Sequence, residues 1–236
     1  MNAAAVNIAQ AKNKVAGNKG AVTRAIILQA ALQQASVSGF ESLTIGTLAE
    51  QAGLSKSGLF AHFGSKEELQ LAALDESVAL FNAFAFVPAL AAPRGLPRLR
   101  ALFENWLKWT ASAQLATCPL MAASAEFDRR DGAMRVAVEK HLRRLNIEFM
   151  KMIDMTIQTG DFAADTDTAQ MAFEFFGIVG GCIRARNLFR DPDASHRATV
   201  AFERLVASAM PAPVGAANKA AETIARKKGA KVKSAR

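Results

Sequence analysis

The segment TIGTLAEQAGLSKSGLFAHFGSKEEL, residues 44–69, constrains the fold of this chain more than any other stretch. Three hydroxyl residues each precede a short run with helical spacing of apolar side chains, and such residues are favoured helix N-caps: Thr44, Ser55 and Ser65. Gly53 and Gly64 end the first two runs, because glycine readily adopts the left-handed conformation that terminates helices. The segment therefore predicts two short helices joined by a tight turn, followed by a longer helix that opens with a capping box at Ser65.

A further helix precedes this segment. Its apolar positions have helical spacing and it ends at Ser38-Gly39: Ile27, Leu28, Ala31, Leu32 and Ala35. Three helices in this order form a helix-turn-helix, in which the third helix lies in the DNA major groove. The polar side of the third helix bears small or hydrogen-bonding side chains, which suit a close approach to that groove: Lys56, Ser57, Ala61 and His62. Residues 24–69 thus predict a DNA-binding head.

The charge of the chain is concentrated at its two ends. The net charge is +8, residues 1–24 carry four cations and no acid, and residues 215–236 carry seven cations and one acid. The body between them is therefore close to neutral. Cationic arms of this kind add sequence-independent attraction to a polyanion such as DNA. Solubility alone is the alternative explanation of the tail.

Residues 24–69 resemble the DNA-binding domain of the TetR family of bacterial transcriptional regulators. The resemblance rests on GFESLTIGTLAEQAGLSKSGLFAHFGSKEEL, with its Gly-aromatic turn, Thr-capped second helix and Lys-Glu-x-Leu start of the fourth helix. In the remainder of the chain, CPLMAASAEFDRRDGAMRVAV and GGCIRARNLFRDPDA resemble segments of the family's body more loosely. The resemblance implies a DNA-binding head, an effector-binding and dimerising body, and repression that a small molecule relieves.

The resemblance also implies which residues contact DNA. Thr44 and Lys66 match phosphate contacts, and Lys56, Ser57 and His62 match base or backbone contacts, although His62 could equally be a packed helix-end side chain. Two positions depart from the family pattern. Phe60 stands where the family often has a tyrosine that bonds a phosphate, and Gly46 stands where many members have an arginine. By its position, Phe60 is still counted among the predicted DNA-contacting residues.

The rest of the chain predicts an all-α protein of about nine helices. Pro88, Pro93, Gly95 and Pro97 are expected to break the chain between the fourth and fifth helices. Trp109 is expected to lie off the buried stripe of the fifth helix, and the ninth helix is expected to bury its apolar residues, Val200, Phe202, Leu205 and Val206. The predicted domains are a flexible basic arm (1–20), the helix-turn-helix (21–65), a ligand-binding and dimerisation domain (66–210) and a disordered basic tail (211–236).

Aromatic and methionine side chains of the body could line an apolar effector cavity, since soft and aromatic side chains shape such pockets. The candidate residues are Trp106, Met121, Phe127, Phe149, Met152 and Phe175. Ordinary core packing is the competing interpretation of each of them. The fourth helix is expected to link this cavity to the head.

A predicted dimer interface lies on the eighth and ninth helices. Glycines are costly in a helix interior, which suggests that another helix approaches closely at Gly177, Gly180 and Gly181. Phe202 and Val206 of the ninth helix complete the predicted interface.

Several classes of protein are not indicated. The sequence has no Gly-rich phosphate loop, GxSxG or HExxH motif, so neither an enzyme nor a cofactor is expected. His141 has no second histidine or carboxylate at i+4, so metal binding is not expected. Cys118 and Cys182 are far apart and are expected to be buried thiols. No secretory signal or membrane-spanning segment is indicated, and a cytoplasmic location with no membrane partner is expected.

These observations predict a homodimeric repressor that binds a pseudo-palindromic double-stranded DNA operator. A small apolar or amphipathic effector of unknown identity is expected to release it. The alternative is an effector-independent or architectural DNA-binding protein that relies on its basic arms.

Overall fold

The computed structural model describes residues 19–111, 115 and 117–211, and these residues form nine helices and no strand. The helices are α1 (Lys19–Ser38), α2 (Ile45–Gln51), α3 (Lys56–Phe63), α4 (Lys66–Phe81), α5 (Leu96–Thr110), α6 (Pro119–Phe127), α7 (Ala133–Gln158), α8 (Thr168–Asn187) and α9 (Ala194–Ala209). The predicted all-α fold, with a helix-turn-helix head and a helical body, is confirmed. Apart from Lys19, Gly20 and Pro211, the predicted basic arm and tail lie outside the described residues.

The three predicted N-caps begin α2 and α3 of the head and α4, which connects the head to the body. The hydroxyl of Thr44 accepts a hydrogen bond from Thr47 N–H at 3.2 Å, Ser55 from Gly58 N–H at 3.0 Å, and Ser65 from Glu68 N–H at 3.0 Å. Only half of the predicted capping box forms, because the Ser65 N–H donates to the Phe63 carbonyl instead of the Glu68 carboxylate.

The turn between α2 and α3 is a Schellman motif. Gly53 has a φ of 66°. The Leu54 N–H donates to the Ala49 carbonyl at 2.8 Å, and the Gly53 N–H donates to the Glu50 carbonyl at 3.1 Å. This pairing satisfies the last carbonyls of α2 and reverses the chain within three residues. The local sequence thereby brings α3 across α2.

The prediction that Pro88 breaks the chain after the fourth helix is wrong. Helix α4 continues through a π-helical turn (Asn82–Phe86) into one more α-helical turn (Val87–Ala89) that contains Pro88. The Val87 N–H donates to the Asn82 carbonyl, so the backbone widens just before the proline ring. By length and composition alone, Lys66–Ala89 could cross a membrane, as many core helices of soluble proteins could. Here its buried side chains join the core that α1 and α7 also line.

Two expectations about the body are also corrected. Trp109 is buried, because the continuation of α4 covers it: its ring centroid lies 5.5 Å from that of Phe84 and 5.9 Å from that of Phe81. Val200 is exposed, although the other three apolar residues predicted for α9 are buried. Helix α8 begins at Thr168, where the Asp167 carboxylate accepts a hydrogen bond from Gln170 N–H at 2.9 Å.

The two cysteines and His141 are placed by the packing of the body. Cys118 and Cys182 are buried and free, and burial raises the pKa of both thiols. His141 on α7 lies with its Nε2 at 2.7 Å from the Asp75 carboxylate on α4. No group of three or more potential metal ligands occurs among the described residues.

Candidate DNA interface and effector site

One side of α3 is exposed and carries three of the predicted DNA contacts. Lys56, Ser57 and Phe60 are solvent-exposed, and the Phe60 side chain is 46% exposed. Leu59 and Phe63 point the other way into the core. Because the buried side is fixed by the core, the exposed side presents a constant set of groups to a partner.

Lys56 lies over Gly46, a relation that the sequence analysis missed. A Cβ added at Gly46 would lie 3.4 Å from Lys56 Cε and 3.8 Å from Lys56 Nζ. These are ordinary van der Waals distances, so the lysine stem crosses the start of α2 in contact range of Gly46. Gly46 has no arginine side chain to offer, but the Lys56 ammonium places a cation in the same region. Only the turn geometry brings these residues together, so no local sequence signal indicates the contact.

The other predicted contacts lie at the starts of helices or at the end of α3. Thr44 is exposed, but its hydroxyl also caps α2. The Lys66 ammonium donates to the Glu41 carbonyl at 2.7 Å and lies 3.5 Å from the Glu41 carboxylate, so it is partly engaged within the protein. His62 is half-buried with its ring 6.4 Å from that of Phe63, a placement compatible with either predicted role.

Arg24 was not predicted as part of this surface. Its guanidinium lies 4.8 Å from the centroid of the Phe63 ring, in a cation–π contact between α1 and α3. The contact holds an exposed cation beside the end of α3. Its position near the basic N-terminal residues was the only available sequence signal.

Three of the six predicted effector residues form one packed aromatic cluster. Trp106, Phe149 and Phe175 are fully buried and pack on one another: the centroids of Phe149 and Phe175 lie 3.9 Å apart, and those of Trp106 and Phe175 lie 5.5 Å apart. Met121 and Met152 are half-buried at the edge of this core. In this conformation Trp106, Phe149 and Phe175 are therefore core residues packed on one another, as the competing interpretation has it.

Two clefts stand out in the described part of the chain. The α6–α7 cleft has a volume of about 400 Å³ and is lined by Ser124, Phe127, Asp128, Arg135, Val138, Glu139, Leu142 and Arg143. The second, about 300 Å³, lies between the start of α8 and the end of α9 and includes Asp165, Met171, Glu174 and Leu205. Of the six predicted effector residues, Phe127 is the one that lines either cleft.

Helix α8 carries an open stripe that contains all three predicted interface glycines. A Cβ added at Gly177, Gly180 or Gly181 would meet no described atom within 4 Å. Phe173 and Leu188 extend the stripe and are 75% and 71% exposed. Large exposed apolar side chains beside glycines form a surface suited to a second helix.

The two predicted interface residues of α9 are placed elsewhere. Phe202 and Val206 are buried in the core of their own protomer, and the Phe202 ring stacks on that of Phe103 with centroids 4.1 Å apart. Their side chains therefore cannot line an exposed interface. The helical spacing of α9 correctly indicated a buried face but could not tell which chain covers it.

Comparisons with known proteins agree with this architecture. The family model for bacterial regulatory proteins of the tetR family matches residues 27–73, and the model for the tetracyclin repressor-like C-terminal domain matches residues 95–202. No curated protein matches the chain.

Solved structures of TetR-family regulators share the fold. A transcriptional regulator from Cytophaga hutchinsonii superposes with a TM-score of 0.73 at 20% identity and covers 83% of this chain and 98% of its own. A regulator from Streptomyces coelicolor gives 0.70 at 20% identity, covering 80% and 96%. AibR, solved in complex with isovaleryl coenzyme A and operator DNA, gives 0.60 at 19% identity, covering 80% and 98%. The chain belongs to the TetR family of transcriptional regulators, with a helix-turn-helix DNA-binding head and a ligand-binding C-terminal domain.

Proposed function

We propose that this protein is a homodimeric repressor that binds a pseudo-palindromic operator and is released by a small apolar or amphipathic effector. The exposed side of α3 is the observation that carries the proposal. Lys56 offers a cation and hydrogen-bond donor, Ser57 a hydroxyl, and Phe60 an apolar surface. Such groups on the third helix of a helix-turn-helix suit contacts with base edges and phosphates.

The open stripe on α8 supports the dimer. A twofold dimer places two α3 helices on one face of DNA when they are spaced by about 34–36 Å, one helical turn. Isologous packing of α8 against its copy would cover Phe173, Gly177 and Leu188 at once.

Two observations support an effector. The indole N–H of Trp106 is buried with no hydrogen-bond partner among the described residues, and a buried donor of this kind is rare unless a ligand or water completes it. The open α6–α7 cleft, where Phe127, Val138 and Leu142 lie beside charged side chains, offers an amphipathic molecule a second surface. An apolar molecule with a hydrogen-bond acceptor would satisfy the Trp106 donor if the aromatic cluster opened around it. The protein is proposed to act in the cytoplasm, without a cofactor and without catalysis.

Substitution of Lys56 tests the DNA-binding role directly. We expect Lys56→Ala to weaken binding to an operator selected with the wild-type protein by about tenfold, since one phosphate or base contact contributes roughly 1–3 kcal/mol. The melting temperature and the dimer should be unchanged, because the lysine is exposed. Fluorescence anisotropy measures the affinity, and Lys108→Ala, on the exposed side of α5, is the matched control. Wild-type affinity in Lys56→Ala would remove α3 from its proposed role.

Substitution of Phe60 tests the missing tyrosine. Phe60 is exposed, so the hydroxyl of Phe60→Tyr can project to solvent and reach a phosphate. A hydrogen bond to a charged group contributes about 1.5–3 kcal/mol, and we expect tighter binding to operator and random duplexes alike. Competition titrations with both duplexes measure the change. Weaker binding to both would show that the apolar ring itself contacts the DNA.

The architectural alternative differs in its response to small molecules. A repressor with an effector gains thermal stability by RT ln(1 + [L]/Kd), whereas an architectural protein gains none. A thermal-shift panel separates the two; it starts with isovaleryl coenzyme A, the ligand in the AibR structure, and other acyl-coenzyme A thioesters. A compound that raises the melting temperature should also weaken operator binding.

A further inference from the structure

Glu126 on α6 joins the body to the head through the loop between α1 and α2. Its Oε2 accepts a hydrogen bond from Phe40 N–H, and its Oε1 accepts one from Glu41 N–H, each at 2.8 Å. Hydrogen bonds to an ionised acceptor are stronger than neutral ones. A single carboxylate of the body therefore binds two consecutive backbone N–H groups of the head.

Helix α4 binds the carbonyl groups of the same two residues. Gln70 Nε2 donates to the Phe40 carbonyl at 2.9 Å, and the Lys66 ammonium donates to the Glu41 carbonyl at 2.7 Å. The loop leads within three residues to Thr44, the N-cap of α2. The loop that leads into α2 is thus hydrogen-bonded to both α6 and α4.

The close approach of Glu126 explains the glycine before this loop. Gly39 has a φ of 82°, which favours glycine, and a Cβ added there would lie 2.8 Å from Glu126 Oε1. The sequence indicates Gly39 only as the end of α1. The structure adds that the carboxylate occupies the space of its missing side chain.

We propose that Glu126 is a positioning residue for operator binding: its carboxylate holds the head at the angle at which α3 fits the major groove. This inference rests on the proposed function. Helix α6 then forms a second link between body and head, beside the predicted link through α4. Phe127, the next residue, lines the α6–α7 cleft, so a molecule in that cleft would press on α6 beside the carboxylate.

The test uses the full-length chain with Glu126→Gln and an operator selected from random duplexes with the wild type. Glutamine keeps the side-chain length but offers one acceptor, and its NH₂ group would face an N–H donor. Because the loss of one good hydrogen bond corresponds to about a tenfold change in equilibrium, we expect roughly tenfold faster hydrogen exchange at the Phe40 and Glu41 amides. Operator affinity should fall by about tenfold as well, while exchange in α2 and α3 stays unchanged.

The sign of the affinity change separates positioning from charge. Removing a negative charge near DNA would by itself strengthen binding. Glu148→Gln, whose side chain pairs with Lys151 on α7, removes the same charge and should not weaken operator binding. Glu126→Asp keeps the carboxylate and should recover part of the affinity that Glu126→Gln loses.

Two results would overturn the inference. One is wild-type operator affinity in Glu126→Gln, even if its melting temperature falls, since Glu126 would then be merely structural. The other is unchanged exchange at Phe40 and Glu41. A wild-type protein that binds no selected duplex would reject the proposed function, and the positioning role with it, which distinguishes that failure from the failure of Glu126 alone.

Discussion

Phe175→Ala is expected to lower the free energy of unfolding by about 3–5 kcal/mol, the range for phenylalanine truncation in a well-packed core. Phe175 is fully buried and lies at the centre of the aromatic cluster, with ring contacts to Phe149, Trp106, Phe103 and Phe202. Its removal leaves a cavity that four aromatic rings cannot readily fill. The melting temperature should fall by on the order of 10 °C, measured by calorimetry.

Phe189→Ala is the matched control for this variant. Phe189 is 68% exposed beyond the end of α8, so its truncation should change stability by less than about 0.5 kcal/mol. A Phe175→Ala protein as stable as wild type would show that the cluster is an open pocket in solution and not a packed core. In that case the aromatic residues would line a cavity that is open even without an effector.

Gly177→Arg is expected to convert the dimer to a monomer and to lower operator affinity by at least about 100-fold, because a monomer loses the effective concentration of the second head. The added side chain meets no described atom of its own protomer within 4 Å. Arginine also has a higher helix propensity than glycine by roughly 1 kcal/mol, so α8 itself should not be weakened. Burial of an unpaired cation in the contact between the two α8 helices would disfavour association. Analytical ultracentrifugation and operator titration measure the two effects.

Asn146→Arg provides the control for the added charge. Asn146 is exposed on α7, outside the proposed interface, and this variant should remain dimeric with full operator affinity. Should Gly177→Arg sediment as a dimer, the proposed interface on α8 would be wrong, and the exposed Phe173 and Leu188 would require another explanation.

The features of the head that depend only on neighbouring residues are predictable from the sequence. Caps at Thr44, Ser55 and Ser65 were predicted because a hydroxyl bonds an N–H only three residues away. Gly53 was predicted as a turn because its left-handed backbone is a property of one residue. Pro88 shows the limit of local rules. Proline usually ends a helix, but here a π-helical turn precedes it and the helix continues through it.

The sequence by itself determined the helices, their order and most of their buried positions, and it carried the resemblance to the family. Helical periodicity shows that a side chain is buried but not what buries it, so it could not separate a cavity from a packed cluster at Phe149, or a partner chain from the protomer's own core at Phe202. Only the tertiary structure decided those points, and only it placed Lys56 over Gly46 and Glu126 against Phe40 and Glu41. The physical reason is that these contacts join residues distant in the chain, where the position of each atom depends on the packing of every helix between them.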